Sequence, residues 1–394
     1  MRFIETPKPI SLSSSQGKGE VFTKLMRIPG VQMIYVSALA CTRHRSIDFV
    51  QMQRAGRLSF LLFNEVDMIT GDYITKTKQA AAEIAAERNP SGIILLTGCQ
   101  SALLSTDYKL LTEEMEAEIG VPVRVHDGCR LCGFDEEKGG SSAIDKMLYA
   151  FLRPSQKSEE LSVNILGSAQ PDEHSELFDI LDAAGVKKIR RLPACKTFEE
   201  YQEMSRAHVN ILTAPQDAEI GTYLEETLNI PYVCLGGIYN SDELAAAYEK
   251  LGEILGTEID ISAHRNKLNK ALSSAKEVVG SQSISVESDV ELTKWLLTEG
   301  FNVEALQMGH HQGLSPEQRS WFEEHAPNLR LDGEKRGKPG GHGHGGPGGP
   351  RGGGRPGGKP GMGGREGAGS KLGYMGALAV LKTLENGVGG AHHE

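Results

Sequence analysis

Apolar runs of strand length alternate with helix-periodic segments along almost the whole chain, the pattern of parallel sheets covered by helices. In the first third, runs at 31–36, 58–63, 92–97 and 121–125 read as strands. Helical periodicity lies between them, notably over 73–88 and over 101–119, the latter about five turns. A polar stretch after Pro154 (Ser155-Gln156-Lys157-Ser158-Glu159-Glu160) marks a boundary. A second α/β unit follows, with strands expected at 162–166, 188–192, 210–213 and 232–235, and helices at 173–184, 219–228 and 242–255. A long linking helix over 261–278 leads to a third unit. There a strand at 281–285, a helix at 289–299, a strand at 303–307 and a helix at 316–325 are expected. Residues 333–370 are a glycine, proline, lysine, arginine and histidine tract whose composition cannot bury a core, so disorder is expected there. A short amphipathic helix is expected over 373–384. The fold class is therefore α/β, three Rossmann-like domains with parallel sheets covered by helices. The domains are expected at 1–155, at 156–258, and at 259–332 with 371–390, the last interrupted by the 333–370 insertion.

Composition narrows the function. The chain has 394 residues, 39% of them hydrophobic, which is ample for large buried cores. Its formal net charge of −10 argues against nucleic-acid binding. The 333–370 tract reverses that sign locally, with seven Lys/Arg against two Glu. No apolar run approaches the roughly 20 residues of a membrane span, and the first residues lack the apolar core of a signal peptide. A cytoplasmic protein is expected, in which thiols stay reduced. Its six cysteines then read as free, catalytic or metal-bound.

The cysteine positions carry the chemistry. Ends of neighbouring strands in a parallel sheet share one edge, where ligands bind. Cys99 follows the run at 92–97, and Cys129 and Cys132 follow the run at 121–125, so three thiols are expected close together at such an edge. Cys41 follows the run at 31–36. Cys99 is expected to begin a helix, whose exposed N–H groups and dipole lower a thiol's pKa. Cys129 and Cys132 form a C-x-x-C, which chelates one metal or cluster or forms a redox disulfide. Taken singly, each cysteine also reads as a small buried hydrophobe. Cys195 and Cys234 end predicted strands of the second unit, and Cys234 reads as core. Arg43, His44 and Arg45, with Arg54 and Arg57, form a basic cluster near the thiols. They would stabilise a reduced centre or an anionic substrate, or else form a solvated loop paired with acids such as Asp48. No G-x-x-x-x-G-K-[ST] phosphate loop occurs, so no intrinsic nucleotide site is expected. His342 and His344, with His392 and His393, are a weak metal set in a tract for which a linker role is favoured.

Six local patterns resemble the component 1 family of nitrogenase and its relatives, the cofactor-assembly scaffolds and tetrapyrrole reductases. Gln51-Met52-Gln53-Arg54-Ala55-Gly56-Arg57 resembles the glutamine–arginine segment that follows the family's second cluster cysteine. Val66-Asp67-Met68-Ile69-Thr70-Gly71-Asp72-Tyr73 resembles its acidic, glycine-ended strand ahead of a lysine-bearing helix. Gly98-Cys99-Gln100-Ser101-Ala102-Leu103-Leu104-Ser105-Thr106-Asp107 is similar to its third cluster-cysteine turn, and Val121-Pro122-Val123-Arg124 to the strand that follows. Val163-Asn164-Ile165-Leu166-Gly167 and Leu224-Glu225-Glu226-Thr227-Leu228-Asn229-Ile230-Pro231 are similar to its middle-domain phrases.

The resemblance implies a [4Fe–4S] cluster held by Cys41, Cys99, Cys129 and Cys132, with one member of the C-x-x-C replacing the family's second cysteine. That cysteine is missing around Asp48-Phe49-Val50. A zinc site of the same thiolates, or a cluster shared across a dimer interface, stays open. It also implies an ATP-dependent iron protein as electron donor, and a homodimer or a heterodimer with a paralogous component 1 subunit. A crevice between domains would hold the substrate or a second metal cofactor, with Cys195 facing it. The cofactor-binding cysteine of nitrogenase's catalytic subunit corresponds to about Gly221, and its cofactor histidine falls in the glycine-rich tract. A molybdenum–iron cofactor held as in nitrogenase is therefore not expected. The expected function is a nitrogenase-like oxidoreductase subunit reducing a bound substrate or cofactor. The alternatives are a scaffold or metallochaperone for cofactor assembly, and an electron-transfer or regulatory subunit.

Overall fold

The computed structural model describes residues 22–38, 47–98, 104–127, 141–167, 170–308, 313–332 and 372–390. Three sheets carry the architecture. The first has the strand order β2-β1-β3-β4, with β1 Val31–Ala38, β2 Leu58–Phe63, β3 Gly92–Thr97 and β4 Val123–Asp127. All three of its pairings are parallel. Every residue of β3 is buried, as expected of a central parallel strand covered on both faces. Helix α1 (Ile47–Arg54) connects β1 to β2, while α2 (Glu65–Thr70) and α3 (Asp72–Arg88) connect β2 to β3. Helix α4 (Tyr108–Ile119) connects β3 to β4. Tyr73, Thr77, Ala81 and Ile84 of α3 recur at helical spacing and are buried. With Tyr108, Leu111 and Met115 of α4 they cover Ile34, Val36, Phe63, Ile93, Leu95 and Val123 of the sheet.

After α5 (Ser141–Met147), the second sheet has the order β6-β5-β7-β8, from β5 Ser162–Leu166, β6 Lys188–Arg190, β7 Val209–Leu212 and β8 Tyr232–Cys234. Its connecting helices are α6 (Glu176–Ala183), α7 (Phe198–Gln202) and α8 (Ala218–Leu228). Helices α9 (Ser241–Leu255) and α10 (Ser262–Val279) lead to the third sheet. That sheet is three-stranded and parallel, in the order β11-β10-β9, with β9 Ile284–Glu287, β10 Val303–Gln307 and β11 Arg330–Asp332. Its helices are α11 (Val290–Thr298) and α12 (Pro316–His325), and α13 (Gly373–Gly390) ends the described chain.

Two compact units result. One comprises Met1–Leu166, Val186–Leu212 and Gln216–Val233; the other comprises Gly167–Gly185, Thr213–Pro215 and Cys234–Glu394. In the second unit, Leu372 forms an antiparallel bridge to Gly236, and Gly373 N donates to Leu235 O. Helix α13 then buries Tyr374, Ala377, Leu378 and Leu381.

Several elements depart from the sequence expectation for local reasons. Residues 65–70 are a helix where the resemblance implied a strand. Asn64 and Asp67 close a capping box at its start, and Gly71 ends it at φ 79°, a left-handed conformation that suits glycine. Of the helix expected over 101–119, residues 101–103 lie outside the described residues, 104–107 are not helical, and α4 begins at Tyr108, where the Asp107 side chain caps it by accepting from Leu110 N. Ser105, at φ 50°, stands in the left-handed region just ahead. Strand β4 starts two residues late, since Pro122 has no N–H to give and contributes only its carbonyl, to Ile93 N. Strand β6 stops at Arg190, and a 3-10 turn with a proline, Leu192–Ala194, takes over. Helix α13 is longer than the 373–384 expected. The 333–370 tract lies outside the described residues.

Candidate functional site

The first sheet gathers chain ends at its carboxyl edge. Strands β1, β3 and β4 are adjacent, and Val36, Thr97 and Asp127 stand side by side in register. With strands about 4.8 Å apart, the three ends span about 10 Å. In the sequence, Cys41 comes five residues after Val36, Cys99 two after Thr97, and Cys129 two after Asp127, with Cys132 three further on. Two to five residues of chain reach at most about 7 to 18 Å. The exits are thus close enough for thiols on all three segments to serve one centre. Cys41, Cys99, Cys129 and Cys132 themselves lie outside the described residues, as do Arg43, His342 and His344.

The edge is polar beneath these exits, a feature the sequence reading missed. Ser37, Thr97 and His126 are buried at the ends of their strands. The Ser37 hydroxyl donates to Ala38 O at 3.3 Å, and Thr97 Oγ1 donates to His126 O at 3.4 Å. Buried polar side chains near the carboxyl ends of three neighbouring strands are the signal that could have marked the site. Around the same edge, the Tyr73 and Thr106 hydroxyls share a 2.6 Å hydrogen bond that ties the start of α3 to the segment before α4. Lys76 pairs with Asp67 at 2.6 Å and with Asp72 at 3.5 Å. Its hydrogen bond, with that of Asn64 N, holds the Asp67 carboxyl below its ordinary range.

The remaining expected site residues are dispersed. Cys99, expected at the start of a helix after β3, lies with residues 100–103 outside the described residues, and α4 begins at Tyr108. Arg57 is at the opposite edge of the sheet. Its guanidinium donates to Val31 O and Ile28 O at 2.7 Å each, at the amino end of β1. An eight-residue strand, about 26 Å, separates it from the cysteine exits. Arg54 is exposed in the last turn of α1, two residues from the Gly56 that precedes Arg57. Helix α1 returns the chain to the amino edge, so neither arginine lies at the carboxyl edge where the cysteine-bearing segments leave the sheet.

Cys195 follows the 3-10 turn after β6, half-buried, its thiol 3.5 Å from Arg191 O. Burial pushes this thiol's pKa up and Glu200 adds to the rise, with Arg190 opposing, so it is held as the thiol. Cys234 ends β8, half-buried, and donates to Gly236 O at 3.4 Å. Among the described residues, no group of three or more His, Cys, Asp or Glu side chains is arranged to hold a metal ion. Nor is any described helix long and apolar enough to cross a membrane.

The family model of the nitrogenase component 1 type oxidoreductases matches residues 22–324. The chain belongs to this family. Its relatives include a subunit of the light-independent protochlorophyllide reductase of Cereibacter sphaeroides, 25% identical over 47% of this chain and 36% of that protein. The nitrogenase iron-molybdenum cofactor biosynthesis protein NifE of a Nostoc species is 23% identical over 52% of this chain and 43% of that protein. The nitrogenase molybdenum-iron protein alpha chain of Methanococcus maripaludis is 22% identical over 50% and 42%. The matched stretch thus spans about two fifths of these relatives. A solved structure, nitrogenase Cp1 at pH 6.5, aligns with a TM-score of 0.45 at 16% identity, over 72% of this chain and 59% of that one.

Within this family frame, the donor set at the first sheet's edge suits an iron–sulfur or metal centre: four cysteines on three segments leaving adjacent strands. A nitrogenase-type cofactor fits poorly at Gly221. That glycine is buried in α8 beneath the ring of Tyr232, and a Cβ there would lie 2.7 Å from the ring. A cysteine could enter only by displacing Tyr232.

Proposed function

We propose that this chain is a nitrogenase-like component 1 oxidoreductase subunit in which Cys41, Cys99, Cys129 and Cys132 hold a [4Fe–4S] cluster. The observation that carries the reading is the register of β1, β3 and β4, which lines up the chain exits leading to all four thiols. When bound, such a cluster supplies a one-electron relay whose potential depends on its ligands, on hydrogen bonds to its sulfurs and on solvent exposure. The chain's own part is to supply the thiolates from a buried edge and to keep that edge ordered through Ser37, Thr97, His126 and the Tyr73–Thr106 bond. Electrons would come from an ATP-dependent iron protein, since the chain carries no phosphate loop of its own. They would pass to a substrate or second cofactor, in a homodimer or in a heterodimer with a paralogous subunit.

The test is anaerobic purification with iron, sulfide and zinc analysis and EPR of the dithionite-reduced protein. About four irons per chain and a reduced-cluster signal are expected, and Cys99→Ser should lose most of both. Zinc in place of iron would sink the redox reading, and a Cys99→Ser protein with full iron would sink the ligand assignment. A cofactor-assembly scaffold is the second reading. The closed packing at Gly221 favours it, because that packing leaves no room for nitrogenase's catalytic thiol. A scaffold would hand its bound metal to an acceptor protein, whereas a reductase would retain it through turnover.

A further inference from the structure

One face of the second sheet carries a row of polar side chains where parallel strands are ordinarily apolar. Arg190, Asn164 and Asn210 stand in register on β6, β5 and β7, so their side chains rise from the same face. Asn164 is 1% exposed and Asn210 fully buried. Asn164 Nδ2 donates to Met204 O at 2.8 Å and to Asn210 Oδ1 at 2.9 Å. These two bonds fix both amides. Turning Asn164 over would set its oxygen against a carbonyl, and turning Asn210 over would oppose two NH2 groups.

With its nitrogen toward Asn210, Asn164 directs its oxygen the other way, to the side of the strand bearing Arg190. That oxygen, Asn164 Oδ1, is buried without a hydrogen-bond partner, and so is Arg190 Nη1. The other terminal nitrogen of Arg190, Nη2, donates to Glu203 Oε2 at 3.2 Å. Glu203 directly precedes Met204, whose carbonyl takes Asn164. Guanidinium and amide therefore meet beneath one step of the 3-10 turn Glu203–Arg206. An unmatched donor and an unmatched acceptor thus stand on paired residues of one sheet face, where Asn210 Nδ2 and Arg206 Nε are also buried without a partner.

Buried polar atoms in native proteins are satisfied by protein groups or by internal water. We propose that one ordered water is bound here, accepting from Arg190 Nη1 and donating to Asn164 Oδ1, and that it pins the Glu203–Arg206 turn to the sheet. An anion is the wrong chemistry for the position. It has no proton for Asn164 Oδ1, and Glu203 already offsets the charge of the guanidinium.

A crystal structure of the full chain, at a resolution that reveals ordered solvent, should show a density peak within hydrogen-bond reach of both atoms. The proposal is overturned if both atoms bond directly to protein groups with no peak between them. It is equally overturned if the peak is replaced by bromide on soaking. Oxygen-17 relaxation dispersion gives an independent count of long-lived internal waters. The Asn164→Leu/Asn210→Leu double variant, which removes the amide pair together, should hold one fewer than the wild type. An unchanged count counts against the site, and if that variant does not fold, the wild-type crystal structure decides.

Discussion

Arg57 and Glu176 show how far a charged residue's role depends on what surrounds it. From sequence, Arg57 belongs with a basic cluster beside the thiols; in the fold it ties the start of β1 to the turn before it through backbone carbonyls. Arg57→Ala should therefore lower stability by about 2 kcal/mol, the scale of lost charge-assisted bonds, in urea unfolding. Iron content per folded chain should stay unchanged, and a selective loss of iron would restore Arg57 to the metal site. Glu176, at the start of α6, is buried and accepts from Met375 N at 3.0 Å. Burial raises its pKa, with the N–H groups of Met375, Glu176 and Tyr374 opposing. A folded-state pKa above the unfolded value stabilises the fold while the carboxyl is protonated, and that contribution is lost as pH rises through the folded pKa. Glu176→Gln keeps an acceptor for Met375 and removes the charge. Its melting temperature should vary less with pH than the wild type's and exceed it at neutral pH, and a variant that tracks the wild type at every pH would refute this. No sequence pattern marks Glu176, because its partner lies almost two hundred positions away.

The strands and helices were legible where periodicity was long and one-sided. The strand runs at 58–63, 92–97, 162–166 and 303–307 coincide with observed strands, because continuous apolar or alternating runs have few other ways to be buried. Expectation failed where a cap or turn decides, as at Asn64–Gly71 and Asp107, since one side-chain hydrogen bond there outweighs a weak pattern. Close approaches are also illegible in one dimension. Gly236 lies so near the Thr213 carbonyl that any Cβ would overlap it. Gly236→Ala should cost about 3 kcal/mol or more, or abolish soluble expression, because the neighbour is backbone and cannot swing aside. A stable, soluble Gly236→Ala protein would show that the 213–215 and 234–237 segments part easily.

In the whole chain, the helix beyond the glycine-rich tract proves integral to the second compact unit. Leu372, Tyr374, Ala377, Leu378 and Leu381 are buried there. A chain ended after Asp332 should lose on the order of 5 kcal/mol of burial and become protease-sensitive between 234 and 332. An equally resistant truncated protein would make α13 an accessory. Alternation of apolar runs and periodic helices was enough to establish parallel α/β sheets and to put cysteines just past strand ends, because burial and backbone hydrogen bonding act locally along the chain. Which strands are neighbours is a different matter. The order β2-β1-β3-β4 makes the exits toward Cys41, Cys99 and Cys129 adjacent, while the same sheet carries Arg57 to its far edge. Strand order is set by packing between segments tens of residues apart, and no local pattern encodes it.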